Sequence, residues 1–262
     1  MPASALPPLA PADTIAGLAK GLAVLESFDT ERQRLNATLA GERAGITRAA
    51  ARRHLLTLAH LGYLESDGHY FWLAPKVLRL SGSYLASARL PRIVQPALHR
   101  LAAQTGLSFS AVVLDGSEVV IVARSAMPDQ DERRLAHGLH LGSRLPAHAT
   151  STGRILLAGL EDEALMAWLH GRPLPRLTAH TVTSPQQLLS LLYAVRQQDW
   201  CIAIEEHELG VQAAAVPLRD MAGRTVAALN VVTSPRRMAA EVMARELVPL
   251  LQDAARDLRP LL

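Results

Sequence analysis

Apolar positions recur with a helical period through the first third of the chain and give way to strand-like alternation beyond Gly106. Ile15, Leu18, Leu22 and Leu25 share one face of a helix predicted from Thr14 to Phe28. Asn36 is a good cap for a short helix running to Ala44, and Gly45 stands where that helix should stop. Thr47 caps the next helix, which extends to about Leu61 and is ended by Gly62. On it Ala51, Leu55 and Leu58 form the apolar face, Arg53 and Ala49 point nearly opposite, Arg52 lies to one side, and Arg48 sits in the first turn. From Tyr63 to Leu73 two strand-like arms flank Asp67-Gly68, which predicts a hairpin closed by a two-residue turn. Pro75 opens a helix-compatible stretch from Lys76 to Arg89 with Val77, Leu80, Tyr84 and Leu85 as its stripe, and a further helix runs from Pro91 to about Thr105.

The remainder alternates strands and helices. Ser108 to Leu114 and Glu118 to Arg124 form a predicted hairpin around Asp115-Gly116, and Arg133 to Leu139 is a third strand. Their alternation supports a sheet with one covered face. Leu141 to His148 reads as a loop, and Ala149-Thr-Ser-Thr-Gly153 leads into a helix through Leu160. Helices follow at about Asp162 to His170 and Ser184 to Asp199. Cys201 to Glu205, Val211 to Pro217 and Thr225 to Val232 read as strands, and Met238 to Leu258 as a closing helix. The predicted fold class is α+β, divided into a Pro-rich disordered lead (1–13), a helix-turn-helix and wing (14–75), a linker helix (76–90) and a larger domain (91–262).

Charge changes the meaning of the first third. Residues 1–90 carry ten Lys+Arg against seven Asp+Glu, whereas residues 91–262 carry seventeen of each, so the whole formal +3 belongs to the amino-terminal part. Between Arg43 and Leu64 there are four arginines and no carboxylate. A plain helical subdomain with a solvated face fits the periodicity equally well, but a local positive field beside closely spaced alanines favours double-stranded DNA as its partner. A guanidinium can grip a phosphate or a guanine edge with two donors. Arg48, Arg52 and Arg53 are the candidate contacts, with Thr47 positioning the helix and His69 near the wing tip.

The single cysteine, Cys201, excludes a disulfide within the chain and any multi-cysteine zinc knot. No apolar stretch reaches membrane-spanning length and the amino terminus lacks the pattern of a signal peptide, which together predict a cytoplasmic protein without a membrane partner.

Several constellations in the second domain could carry chemistry. Thr150-Ser151-Thr152-Gly153 at a helix start offers unpaired N–H groups and three hydroxyls to a small carboxylate, although any capped helix start looks the same. Glu205, Glu206, His207 and Glu208 resemble a metal cluster. On an extended chain, however, adjacent side chains point to opposite faces, so ion pairing is the expected role and no metal or other cofactor is required. Cys201 with His207, or Ser151 with His148, could be nominated as nucleophile and base, yet neither lies in a recognisable elbow. Packing is the default for Cys201, and His137, His140, His148 and His180 read as core or loop residues. A redox-sensing regulator acting through Cys201 and an enzyme acting on a small aromatic acid therefore stay open as alternatives.

Four segments in order, Ile15-Ala-Gly-Leu-Ala-Lys-Gly-Leu-Ala-Val-Leu-Glu26, Gly45-Ile-Thr-Arg-Ala-Ala-Ala-Arg-Arg-His-Leu-Leu56, Leu145-Pro-Ala-His-Ala-Thr-Ser-Thr-Gly-Arg154 and Glu205-Glu-His-Glu-Leu-Gly210, resemble the IclR family of bacterial transcriptional regulators. Within it they are most similar to the PcaU, PcaR and PobR branch, which regulates protocatechuate and 4-hydroxybenzoate catabolism. The resemblance spans Thr14 to the last helix. It implies an amino-terminal winged helix-turn-helix, a linker helix used in dimer contacts and a carboxy-terminal GAF-like α/β effector domain. It also implies a homodimer or dimer of dimers on a palindromic operator, without catalytic activity. The effector implied is a small acid such as 4-hydroxybenzoate, protocatechuate or a β-ketoadipate-type acid, and the branch favours an activator. Position by position, the family's effector pocket falls on Arg134, His137, Leu145, Ser151, Thr152, Ala203, Val211, Ala213, Asn230 and Val232. Some members that bind small keto acids carry an acidic side chain where this chain has Ala203 and serine near Asn230 and Val232, so the resemblance implies a roomier, more apolar pocket here.

Overall fold

A computed structural model describes residue 10 and residues 13–29, 32–125 and 139–262. The predicted disordered lead falls largely outside the described residues, as does most of the predicted third strand, including Arg134 and His137. The chain divides into two compact units at Ser87 and Ala88.

In the first unit, helix α1 (Ala16–Glu26), α2 (Ala37–Arg43) and α3 (Arg48–His60) precede a hairpin of β1 (Leu64–Ser66) and β2 (Phe71–Leu73). Local chemistry sets the boundaries. The Asn36 side chain accepts from the N–H groups of Thr38 and Leu39 at 3.1 and 3.0 Å, and Thr47 accepts from that of Ala50 at 3.3 Å. Gly45 and Gly62 take left-handed conformations at φ 65° and 77°, which is why glycine follows both helices. Ala51, Leu55 and Leu58 are buried with Val24, Phe28, Leu35, Leu64 and Phe71.

Two expectations for this unit are corrected. Most of the apolar stripe on α1 is exposed within it: Ile15, Leu18 and Leu22 stand 71%, 62% and 46% accessible, and of the four only Leu25 packs, beside Val24, against the core of the unit. The wing turn is also longer than two residues. Ser66 pairs with Phe71, so Asp67 to Tyr70 form a four-residue loop whose Asp67 carboxylate accepts from the N–H groups of His69 and Tyr70 at 3.0 and 2.7 Å. An Asx-type loop of this kind satisfies the backbone by a side chain and needs no tight Asp-Gly turn. Those bonds, with Arg34 nearby, hold the Asp67 carboxyl below the ordinary carboxylate range. The stretch after the wing is a 3-10 turn, Pro75–Val77, followed by α4 (Leu78–Ser87), on which Leu78, Leu80 and Tyr84 are exposed.

The second unit opens with α5 (Arg89–Thr105), ended by Gly106 in the left-handed region. Its sheet comprises β3 (Ser108–Asp115), β4 (Glu118–Arg124), β5 (Arg144–Pro146), β6 (Cys201–Ile204), β7 (Gln212–Arg219) and β8 (Thr225–Thr233). Their order is β5-β4-β3-β8-β7-β6, with every neighbouring pair antiparallel. Alternation sorts the strand residues onto two faces. Phe109, Ala111, Val216, Leu229 and Val231 join Val94 and Leu98 of α5 and Met243 and Leu251 of α9 (Ala240–Leu258). On the other face Val112, Ile121, Ala215 and Ala228 meet α6 (Ser151–Ala158), α7 (Asp162–Leu169) and α8 (Pro185–Gln198). The β3–β4 turn is Gly116-Ser117, one residue later than its Asp-Gly signal suggests, because Asp115 already pairs with Glu118. Residues expected as loop at 144–146 form edge strand β5, in which Leu145 lies opposite Val119.

Candidate functional site

The first unit presents one basic surface. Thr47, Arg48, Arg52 and Arg53 are all exposed, and among the described residues none of the three guanidiniums has an acidic partner. Arg43, the fourth arginine of the charge count, is different: it is held to Asp29 and donates from Nε to the Ser27 carbonyl at 2.7 Å. Its role is to fasten α2 to the residues after α1. His69 is exposed at the wing and meets the Tyr70 ring edge-on at 4.9 Å. The sequence reading overlooked Arg34, which pairs with Asp67 at 2.6 Å and lies over the Trp72 ring at 4.5 Å. It braces the wing against the strand-like segment at Leu35, and no local pattern advertises it.

In the second unit, a cavity of about 270 Å³ opens between the sheet, the start of α6 and the turn after β6. Leu145, Ser151, Thr152, Ala203, Val211, Ala213, Asn230 and Val232 all line it. Cross-strand register explains the convergence. Arg124, Ser110 and Asn230 form one row across β4, β3 and β8, and Ser108, Val232, Ala213 and Ala203 form the next row across β3, β8, β7 and β6. The floor is therefore polar toward β4 and apolar toward β6. Ser108, Ser110, Arg124, Glu206 and His207 are lining residues that the sequence reading missed. Only the register, which is non-local, could have brought the first three forward.

Helix α6 begins against this floor. Thr150 caps it by accepting from the Gly153 N–H at 3.1 Å, while the N–H groups of Ser151 and Thr152 belong to the first turn, which has no intrahelical acceptors. Gly153 is needed because a Cβ there would sit 2.0 Å from the Ala147 carbonyl oxygen. One turn after Thr150, Arg154 forms a two-pronged pair with Glu206 at 2.7 and 2.5 Å; the Arg154 side chain is buried at 4% accessibility and that of Glu206 is mostly covered at 11%. Residues 205–210 are thus a pinned turn and no continuation of the strand, with Glu205 at φ 56°. The expectation of an extended chain with alternating faces fails here. The expected ion pairing holds for Glu206, and Glu205 lies 3.8 Å from His180. Among the described residues, no cluster of three His, Cys, Asp or Glu side chains could hold a metal.

Ser151 and His148 are not hydrogen-bonded to each other. Ser151 Oγ is buried without a partner, and His148 Nε2 faces the Pro175 carbonyl at 3.1 Å. Burial pushes the Cys201 thiol up to about 11, which disfavours the thiolate form that catalysis or redox sensing would use. Burial also lowers His148 and His207 below the ordinary histidine range. Four buried polar atoms on cavity residues have no partner: Ser108 Oγ, Ser151 Oγ, His207 Nδ1 and Asn230 Oδ1. Unpartnered groups so concentrated are costly unless something polar satisfies them.

A basic helix-turn-helix with a wing, joined in one chain to a sheet domain with a polar-floored cavity, defines a transcriptional regulator that senses a small molecule. Two family models match: the IclR helix-turn-helix domain over residues 17–68, and the bacterial transcriptional regulator IclR C-terminal domain over residues 82–259. The chain belongs to the IclR family of bacterial transcriptional regulators. Among its relatives, the Pca operon regulatory protein of Acinetobacter baylyi is 55% identical over 250 residues, covering 95% of this chain and 90% of that protein. The p-hydroxybenzoate hydroxylase transcriptional activator of the same organism is 53% identical over 250 residues, with 95% and 92% coverage. The inducer-binding domain of a double mutant of the Acinetobacter PobR transcription factor, solved as a 3-hydroxybenzoic acid complex, is 48% identical with TM-score 0.62. The match covers 66% of this chain and 98% of that one. This is the Pca and PobR branch that the sequence motifs resemble. Among the described residues no helix is long and apolar enough to cross a membrane.

Proposed function

We propose that this chain is a cytoplasmic, ligand-responsive activator of aromatic-acid catabolic genes, with a hydroxylated aromatic acid as effector. The observation that carries the proposal is the set of four unpartnered buried polar atoms on residues that line one cavity. A ligand with a carboxylate and a ring hydroxyl brings both an acceptor and a donor to these residues, and its ring covers the apolar side of the floor at Ala203, Ala213 and Val232. The Ser151 and Thr152 N–H groups receive the carboxylate at the positive end of α6. Leu145 and Val211 close the ring in, and Asn230 binds a polar substituent. Arg134 and His137 complete the effector site, and Arg124 adds a guanidinium to the floor. The 3-hydroxybenzoic acid complex of the Acinetobacter PobR inducer-binding domain supports this class of effector.

Arg48, Arg52 and Arg53 contact the operator, Thr47 orients the recognition helix and His69 reaches the groove beside the wing. The chain acts as a homodimer or dimer of dimers on a palindromic site. The exposed apolar faces at Ile15 and at Leu18 and Leu22 of α1, and at Leu78, Leu80 and Tyr84 of α4, support such self-association. The effector acts by binding two dimer arrangements with different affinities.

A thermal-shift panel of 4-hydroxybenzoate, 3-hydroxybenzoate, protocatechuate and unrelated dicarboxylates tests the effector class, because a ligand bound only by the folded state raises its melting temperature. A rise with the hydroxybenzoates is expected; a rise with the dicarboxylates alone contradicts the proposal.

A further inference from the structure

The four unpartnered atoms are not chemically equivalent. The serine hydroxyls donate or accept, whereas Asn230 Oδ1 only accepts. His207 Nδ1 accepts in the Nε2–H tautomer of the neutral ring, and burial of the imidazole favours the neutral form. A carboxylate, which brings no proton, cannot satisfy Asn230 Oδ1, nor His207 Nδ1 in that tautomer. They require a donor from the ligand.

His207 is also held more firmly than a turn residue ordinarily is. The Glu206 carboxylate takes both prongs of Arg154 and the Val182 N–H at 3.3 Å, and its carbonyl accepts from the Thr181 hydroxyl at 2.7 Å. The Glu205 carbonyl accepts from Thr178 at 2.7 Å, and the Glu205 carboxylate closes the turn on the Gly210 N–H at 2.7 Å. His207 stands between these anchors with its Nδ1 buried on a cavity-lining side chain. A preorganised acceptor discriminates by what it leaves unpaired when the wrong ligand binds.

We propose that His207 is the specificity-determining residue of the cavity: its Nδ1 accepts a hydrogen bond from a ring hydroxyl of the effector, and aromatic acids without that hydroxyl are rejected. This rests on the effector reading above and assigns the selection to one side chain. Once the hydroxyl donates to Nδ1, the imidazole proton resides on Nε2.

Calorimetric titration of the full chain with 4-hydroxybenzoate, 3-hydroxybenzoate and benzoate tests it, with each variant first checked for an unchanged cooperative unfolding transition. The wild type should bind at least one hydroxybenzoate about tenfold to a hundredfold more tightly than benzoate. H207F keeps a ring but no acceptor; it should weaken that hydroxybenzoate while leaving benzoate within about twofold, so that the preference collapses. H207Q retains an acceptor on a more flexible stem and should fall between the two, which preserves the test if H207F does not fold. An unaltered preference in H207F, or equal loss for benzoate and hydroxybenzoates in both variants, overturns the assignment to His207 while the effector reading stands. A wild type that binds benzoate as well as the hydroxybenzoates also overturns it. A wild type that binds none of the three acids overturns it, and one that also fails to bind protocatechuate overturns the effector reading as well.

Discussion

The pair Arg154 and Glu206 shows how one residue serves both stability and the site. A buried ion pair is weak evidence of net stabilisation, since desolvation offsets most of the attraction, but removing one partner strands the other charge. Arg154→Ala should therefore lower unfolding free energy by about 3–5 kcal/mol in urea titrations. Glu206 would be left buried beside the cavity, and the turn bearing His207 would loosen. Loss within experimental error of zero would mean that the turn is held by its threonine bonds alone. The two depressed histidines give a second expectation. His148 and His207 both have folded-state pKa values below 6.5, chiefly through burial, so below 6.5 the unfolded chain binds more protons than the folded one. Their contribution to stability is present above that pH and is lost as pH falls through their folded values. The wild type should destabilise on acidification below about 6.5, and H207Q should show a shallower decline in the same window. A decline as steep as that of the wild type would exclude His207 as a contributor.

At the scale of elements, the sequence was most informative where a local rule decides the structure. Asn36 and Thr47 cap their helices by side-chain acceptance, and Gly45, Gly62 and Gly106 end theirs with positive φ, so these boundaries could be read from single residues. What escaped depends on partners far along the chain. The short edge strand β5 exists because Leu145 finds Val119, and the polar row of Ser110, Arg124 and Asn230 exists because three strands align. The bend at 205–210 follows from Arg154 and two threonines, none of which neighbours it in sequence. For α1 the apolar stripe was legible, but not that Val24 would be the side buried within its own unit. Helix α3 has its own test. If Arg52 contacts a phosphate, Arg52→Ala should flatten the dependence of log affinity on log salt by about one unit on any DNA; if it reads a base, the loss should be about 1–3 kcal/mol at one base position. No change in either quantity would remove Arg52 from the interface.

For the whole molecule, the division of labour is physical. A surface of unpaired guanidiniums suits a polyanion, while a small cavity with a polar floor and an apolar flank suits an amphipathic acid. The first interaction is salt-dependent and nonspecific in origin, and the second is specific and enclosed, so one chain can bind DNA and respond to metabolism without catalysing anything. Such a response needs a difference in effector affinity between two states, which makes occupancy of the cavity the central claim. It is tested most directly by calorimetric titration of 4-hydroxybenzoate into the full chain and into Ala213→Phe, whose new ring fills the floor between Ala203 and Val232. The account predicts saturable binding by the wild type and no detectable binding by a variant that still unfolds cooperatively. Undiminished binding by Ala213→Phe would place the acid elsewhere and contradict it.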